Sequence, residues 1–183
     1  MTNICNRLRL LGSAAVLAAC VPASAQVLRP PAVADYGVIA PMAEVANRPA
    51  ATDDMRALFE ITGEARGPKG VNRSLDRVAR YLNLLASSGV TAKPGDIKVI
   101  IHGPATSLIL RDEAYHQRFK STNPNTPLIA ALVQAGVEIH VCGQAVAGQK
   151  IAREDINPAV TVDLSAMTTL VLLQRQGWPL VSD

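Results

Sequence analysis

Cysteine, aromatic residues and net charge are all scarce in this chain, and each shortage excludes something. Aromatics make up 3% of the 183 residues and the formal net charge is only +3. With so few rings to stack bases and no block of like charges, nucleic-acid binding is not expected. The longest uncharged apolar run near the start, Leu10 to Ala19, is too short for a spanning helix. The three cysteines are Cys5, Cys20 and Cys142, and the first two fall in a leader, so Cys142 is left with nothing to pair with in an oxidising compartment.

The leader is "MTNICNRLRLLGSAAVLAACVPASAQ". Arg7 and Arg9, the apolar run, Pro22 and the small-residue series Ala23-Ser24-Ala25 read as a secretory signal over residues 1–25, which predicts export to the periplasm. Cleavage after Ala25 is the preferred route and leaves Gln26 first. The "LAAC" box at 17–20 resembles a lipoprotein cleavage site; cleavage there leaves a lipidated Cys20 and a membrane tether. Without residues 1–25 about 158 residues remain and the net charge falls to +1, because the leader carries two arginines and no acid. That length suits one domain with one core.

Residues 26–55 contain Pro30, Pro31, Pro41 and Pro49 without a sustained period, and read as an extended arm. From residue 56 onward strands and helices alternate. "ALFEIT" (57–62) is a strand candidate, followed by a glycine-rich loop. "VNRSLDRVARYLNLLASSG" places Val71, Leu75, Val78, Leu82 and Leu85 at helical spacing, with Gly89 as a stop. "DIKVIIHG" (96–103) is a branched apolar run suited to a strand covered on both faces. "ATSLILRDEAYHQRFK" predicts a short turn and then a helix capped by Asp112. "TPLIAALVQAG" predicts a helix with Thr126 as cap, Pro127 first and Gly136 past the end. "VEIHVCG" (137–143) and "VTVDL" (160–164) are strands, "SAMTTLVLLQRQG" is a helix ended by Gly177, and "WPLVS" is a short edge strand. Alternation of this kind implies crossover connections, hence an α/β fold of about five mainly parallel strands with helices on both faces in three layers.

In such a sheet, chemistry gathers outside the carboxyl ends of the strands. His102-Gly103, Cys142-Gly143 and the loop 63–70 fall at that edge. Alternation puts Val137, Ile139 and Val141 on one side and Glu138, His140 and Cys142 on the other. A polar row of this kind implies a face that is partly wet or meets a partner. His140 is within reach to lower the Cys142 pKa, or it is a structural histidine. "GQAVAGQKI" after the cysteine predicts a short helix whose N–H groups, near Gly143 and Gln144, would favour the thiolate, with Gly143 keeping the approach open. Gly63, Gly67 and Gly70 fit neither a dinucleotide fingerprint nor a phosphate loop, so no cofactor is expected. Asn123, Pro124 and Asn125 suit a turn feeding the next helix, or a place at the pocket rim.

"VIIHGPAT", "YHQRFK", "NPNTPLIAALVQAGVEIHVCGQ" and "LSAMTTLVLLQRQGW" resemble the DsrE/DsrF-like sulfur-relay family, in particular its exported single-domain members. The resemblance implies a flavodoxin-like fold over residues 56–183, assembly into homo-oligomers, and a persulfide on Cys142 exchanged with a sulfur donor and a thiol acceptor, protein or small thiol. Beside the carrier stand two other readings: an oligomeric assembly module in which Cys142 is structural, and a soft-metal or thiol enzyme using His102, His140 and Cys142. The histidines lack the short spacings of a metal site, and none is expected.

Overall fold

The computed structural model describes residues 31–182, apart from positions 41, 43, 65 and 67–69. The proposed leader lies outside the described residues. Among those described, no helix is long and apolar enough to cross a membrane.

Five parallel strands form one sheet: β1 (Ala57–Ile61), β2 (Ile97–Ile101), β3 (Glu138–Cys142), β4 (Val160–Asp163) and β5 (Leu180–Val181), in the order β4-β3-β2-β1-β5. The helices are α1 (Arg73–Ser87), α2 (Asp112–Phe119), α3 (Thr126–Gln134), α4 (Gly143–Gly148) and α5 (Ala166–Arg175), with a 3-10 stretch at Gly103–Ile109. The α/β fold of five parallel strands between helical layers is as expected. The layers are unequal. Ala57, Phe59, Ile61, Val99, Ile101, Ile139 and Val141 point into a large core with α1 and α3. Leu58, Ile100 and Cys142 point to the other face, where Ala166, Leu170 and Leu173 of α5 cover them. Trp178 closes the amino end of that face: its indole donates to the Asp96 carbonyl at 3.1 Å, with the Arg56 guanidinium 4.8 Å and the Lys98 ammonium 5.0 Å from the ring.

Three helices end by one device, and it explains three glycines. After α1, Gly89 N–H donates to the Ala86 carbonyl and Val90 N–H to that of Leu85. Gly136 and Val137 do the same for α3, and Gly177 and Trp178 for α5. The glycine of each pair has positive φ, 80°, 87° and 94°, the left-handed turn that satisfies the last carbonyls. The helix starts lie one residue from expectation. Arg111 caps α2, and Asp112, its first residue, instead accepts from the Thr126 hydroxyl at 2.7 Å. Asn125 caps α3 and Thr126 is already helical.

The arm is not a free linker throughout. Asn83, buried in α1, accepts from Val33 N–H and donates to the carbonyls of Val33, Tyr36 and Gly37, all within 3.0 Å. One amide thus pairs four backbone groups of the arm. Gly37 donates to Asp76 at 2.9 Å and lies so close to α1 that a Cβ would stand 2.1 Å from Arg80 N, at a φ of 63°. Sequence periodicity missed this strap because it is held by side-chain amide geometry rather than by an apolar pattern. Asn83→Ala is expected to cost about 1–3 kcal/mol, read by denaturant unfolding. Gly37→Ala is expected to release residues 31–37 to protease while the sheet stays folded; an arm still protected in that variant contradicts the strap.

Candidate functional site

Cys142 ends β3 and is the residue from which α4 starts. In the β3–β4 register it lies opposite Asp163. Two residues beyond Asp163 the chain reaches Ser165, which opens α5. Two helix starts are therefore aimed at one sulfur. Burial pushes the Cys142 thiol up, but hydrogen bonds from the N–H groups of Ala166, Ala145 and Gln144 and from the Ser165 hydroxyl outweigh it, leaving the pKa below that of an ordinary thiol. Each donor is matched to the anion rather than to the neutral thiol.

Ser165 was not among the sequence candidates. It stands at the cap position of α5, yet its side chain makes no capping bond; its hydroxyl is instead one of the groups that hold the Cys142 pKa down. The signal available was a cap residue following the strand that neighbours β3, which only the strand order makes meaningful.

Cys142 is just 6% exposed, against Leu58, Ile100 and Ala166, and so has a narrower contact with solvent than an open strand tip implies. Gly143 does not serve to keep the approach open. A Cβ there would stand 2.6 Å from the Asp163 carbonyl oxygen, so glycine is required by the close passage of the β4 end.

The histidines are placed near the site but not on the sulfur. His140 Nδ1 lies 3.1 Å from Asp163 Oδ1, and Asp163 Oδ2 accepts from the Thr169 hydroxyl at 2.8 Å. A carboxylate only accepts, so Nδ1 carries the proton. His140 Nε2 is buried without a hydrogen-bond partner, 3.7 Å from Glu138 Oε2. Lys98 pairs with Glu138, and this is the main cause that lowers the Glu138 pKa. His102 Nε2 pairs with Glu60 on β1 at 2.7 Å. Neither imidazole is among the causes of the thiol shift, which favours the structural reading of His140 over a part in lowering the thiol pKa.

The remaining candidates divide. Gln144 supplies its N–H to the sulfur, and its side chain reaches the Leu164 carbonyl at 3.4 Å. The Gly103 carbonyl accepts from the Thr106 hydroxyl and from Gln149 Nε2, both at 2.7 Å, and its φ of 59° lies in the left-handed region that favours glycine. Asn123 is away from the thiol: buried, it donates to the carbonyls of Leu108 and Leu110 and accepts from Asn125. Among the described residues no group of three or more His, Cys, Asp or Glu is arranged to hold a metal.

A family model described as DsrE/DsrF-like matches residues 69–182, more than half of the chain, with the Cys142 site inside it. The chain belongs to the DsrE/DsrF-like family. Membership supports a function of the sulfur-relay type at the level of the family. Among solved structures, a protein of unknown function, MTH1491 from Methanobacterium thermoautotrophicum, is similar with a TM-score of 0.52 and 19% identity, covering 69% of this chain and 96% of its own. At that identity the likeness speaks for the fold. No curated protein matches the chain.

The donor set has a measurable consequence. Alkylation of Cys142 is expected to rise with pH at a midpoint below that of an unfolded thiol, and Ser165→Ala is expected to move the midpoint upward. Since the folded thiol titrates below the unfolded one, its stabilising contribution is complete above the unfolded pKa and is lost as pH falls through the folded pKa. Cys142→Ala should remove that alkaline rise in stability. An unchanged midpoint in Ser165→Ala rules the hydroxyl out as a donor to the anion.

Proposed function

We infer that this chain is an exported sulfur carrier that holds sulfane sulfur as a persulfide on Cys142. The place of Cys142 at the end of β3, where α4 starts and α5 arrives beside it, with its pKa held below that of an ordinary thiol, carries the reading, because sulfur exchange needs a thiolate as nucleophile. In loading, the Cys142 thiolate attacks the outer sulfur of a donor persulfide R–S–SH. A new S–S bond forms, the donor's S–S bond breaks, and R–S⁻ departs. The outer sulfur keeps its oxidation level, so no external oxidant enters. An acceptor thiolate reverses the step and returns Cys142 as thiolate. The donors that hold the thiolate hold it equally as leaving group, so one set of contacts serves both directions.

The low exposure of Cys142 and its apolar neighbours Leu58 and Ile100 favour a second reading, an assembly module with a structural cysteine. Intact-mass analysis of protein isolated without reductant separates the two, and also reports whether the chain begins at Gln26 in the periplasm or at a lipidated Cys20. Incubation with a persulfide donor is expected to add about one sulfur to the wild type and none to Cys142→Ser. Equal loading of both proteins removes the carrier reading, and an unloaded, unalkylated thiol leaves the module.

A homo-oligomer fits both readings. Leu164, Met167, Val171 and Leu172 form an exposed apolar surface along α5, the kind of patch that marks an interface. With a second copy seated there, Met167→Glu is expected to lower the mass measured by light scattering. An identical mass for wild type and variant argues against α5 as the contact.

A further inference from the structure

A cleft opens at the carboxyl edge of the sheet, on the face opposite Cys142. It holds about 210 Å³ and is lined by the loop after β1, the 3-10 stretch, α2 and the caps of α1 and α3. Its back wall is rigid. Asn72 accepts from Leu75 N–H and donates to the Gly63 carbonyl, while its own N–H donates to Asn125 Oδ1 and Asn125 Nδ2 to Asn123 Oδ1. This amide chain ties three loops together and leaves itself satisfied.

The hydroxyls in front of it open toward the cleft. Ser107 and Tyr115 line it with most of each side chain buried, and neither hydroxyl has a hydrogen-bond partner among the described residues. Neither oxygen is among the buried side-chain atoms left without a partner, so both touch the open space and can donate into it. At the rim stand Glu64 and Arg66, both exposed, lining the same cleft and without an ion pair among the described residues. Leu108 and the Phe119 ring supply an apolar side. At about 30 Å³ per water the space equals roughly seven waters, which suits an amino acid rather than a nucleotide.

We propose that this cleft binds a small zwitterion of the α-amino-acid class. The ligand carboxylate accepts from the Ser107 and Tyr115 hydroxyls and faces Arg66, its ammonium faces Glu64, and its side chain lies on Leu108 and Phe119. Opposite charges on the rim select a molecule carrying both signs over a simple anion, which would meet Glu64 unpaired.

The test uses the full chain and each of the twenty standard L-amino acids in a thermal-shift screen, where a ligand that binds only the folded state raises the melting temperature. Calorimetry then compares the strongest amino acid with its deaminated and decarboxylated analogues. Binding is expected to be saturable, and to weaken about tenfold or more, at about 1.4 kcal/mol per tenfold, in Ser107→Ala combined with Tyr115→Phe. Glu64→Gln is expected to weaken the amino acid but not the deaminated acid. No shift with any of the twenty overturns the proposal. So does equal binding of the deaminated acid, or affinity unchanged in the hydroxyl variant when circular dichroism shows that it is folded. Persulfide loading of Cys142 should be the same in all these variants, so this test and that of the carrier fail separately.

Discussion

Handedness of the crossovers is the constraint on which the other features rest. A parallel strand pair joined through a helix closes right-handed, and β1 to β4 are laid down in one direction across the sheet. Their connections therefore put α1 and α3 on a common face. The chain then reverses to place β5 beside β1, and this return leaves α5 to cover the opposite face by itself. One face is a deep aliphatic core; the other is a shallow seam in which polar side chains survive. Cys142 belongs to the seam because β3 begins its alternation with Glu138 and ends it, four residues later, on the same side.

The reversal also fixes what meets the sulfur. α5 must depart from the end of β4, and β4 is the immediate neighbour of β3 in a register that sets Asp163 against Cys142. The first turn of α5 thus arrives beside the sulfur, while α4 starts from Cys142 itself. Two partial positive charges of helix origin and one hydroxyl converge without any charged side chain. The demand falls on Gly143, which has to let the Asp163 carbonyl pass. A methyl group there would force the β4 end, and with it Ser165, away from the sulfur.

Much of this was legible in the sequence, for definite reasons. The three helix-ending glycines, the β-branched run of β2 and the alternation in β3 are local signals, each governed by backbone sterics or by the period of the strand. The position of Cys142 at a strand end followed from the same signals. Ser165 was not legible, since it is joined to Cys142 by strand order and register and not by any spacing along the chain. Asn83 was hidden for a related cause, as were the partners of Asn123 beyond the turn that the sequence suggested: a buried amide is useful for the backbone groups it pairs, and those belong to distant segments. His140 left two readings open, because its spacing to Cys142 is right for contact while its ring is turned to Asp163 on the neighbouring strand.

That turn assigns the polar row a different part. Asp163 accepts from His140 with one oxygen and from Thr169 of α5 with the other, so the imidazole orients the carboxylate that tethers α5 to the sheet. Seen this way, His140 acts on the sulfur only through the position of α5, whose first N–H and preceding hydroxyl are donors to it. The difference matters chemically. An imidazolium would raise the thiolate fraction only where the ring is protonated, and its help would fade above neutrality. Amide dipoles do not titrate between acid and mild alkali. A thiolate favoured by them does not depend on the protonation of a neighbouring ring, and its reactivity is then governed by access to a sulfur that the first turn of α5 partly roofs.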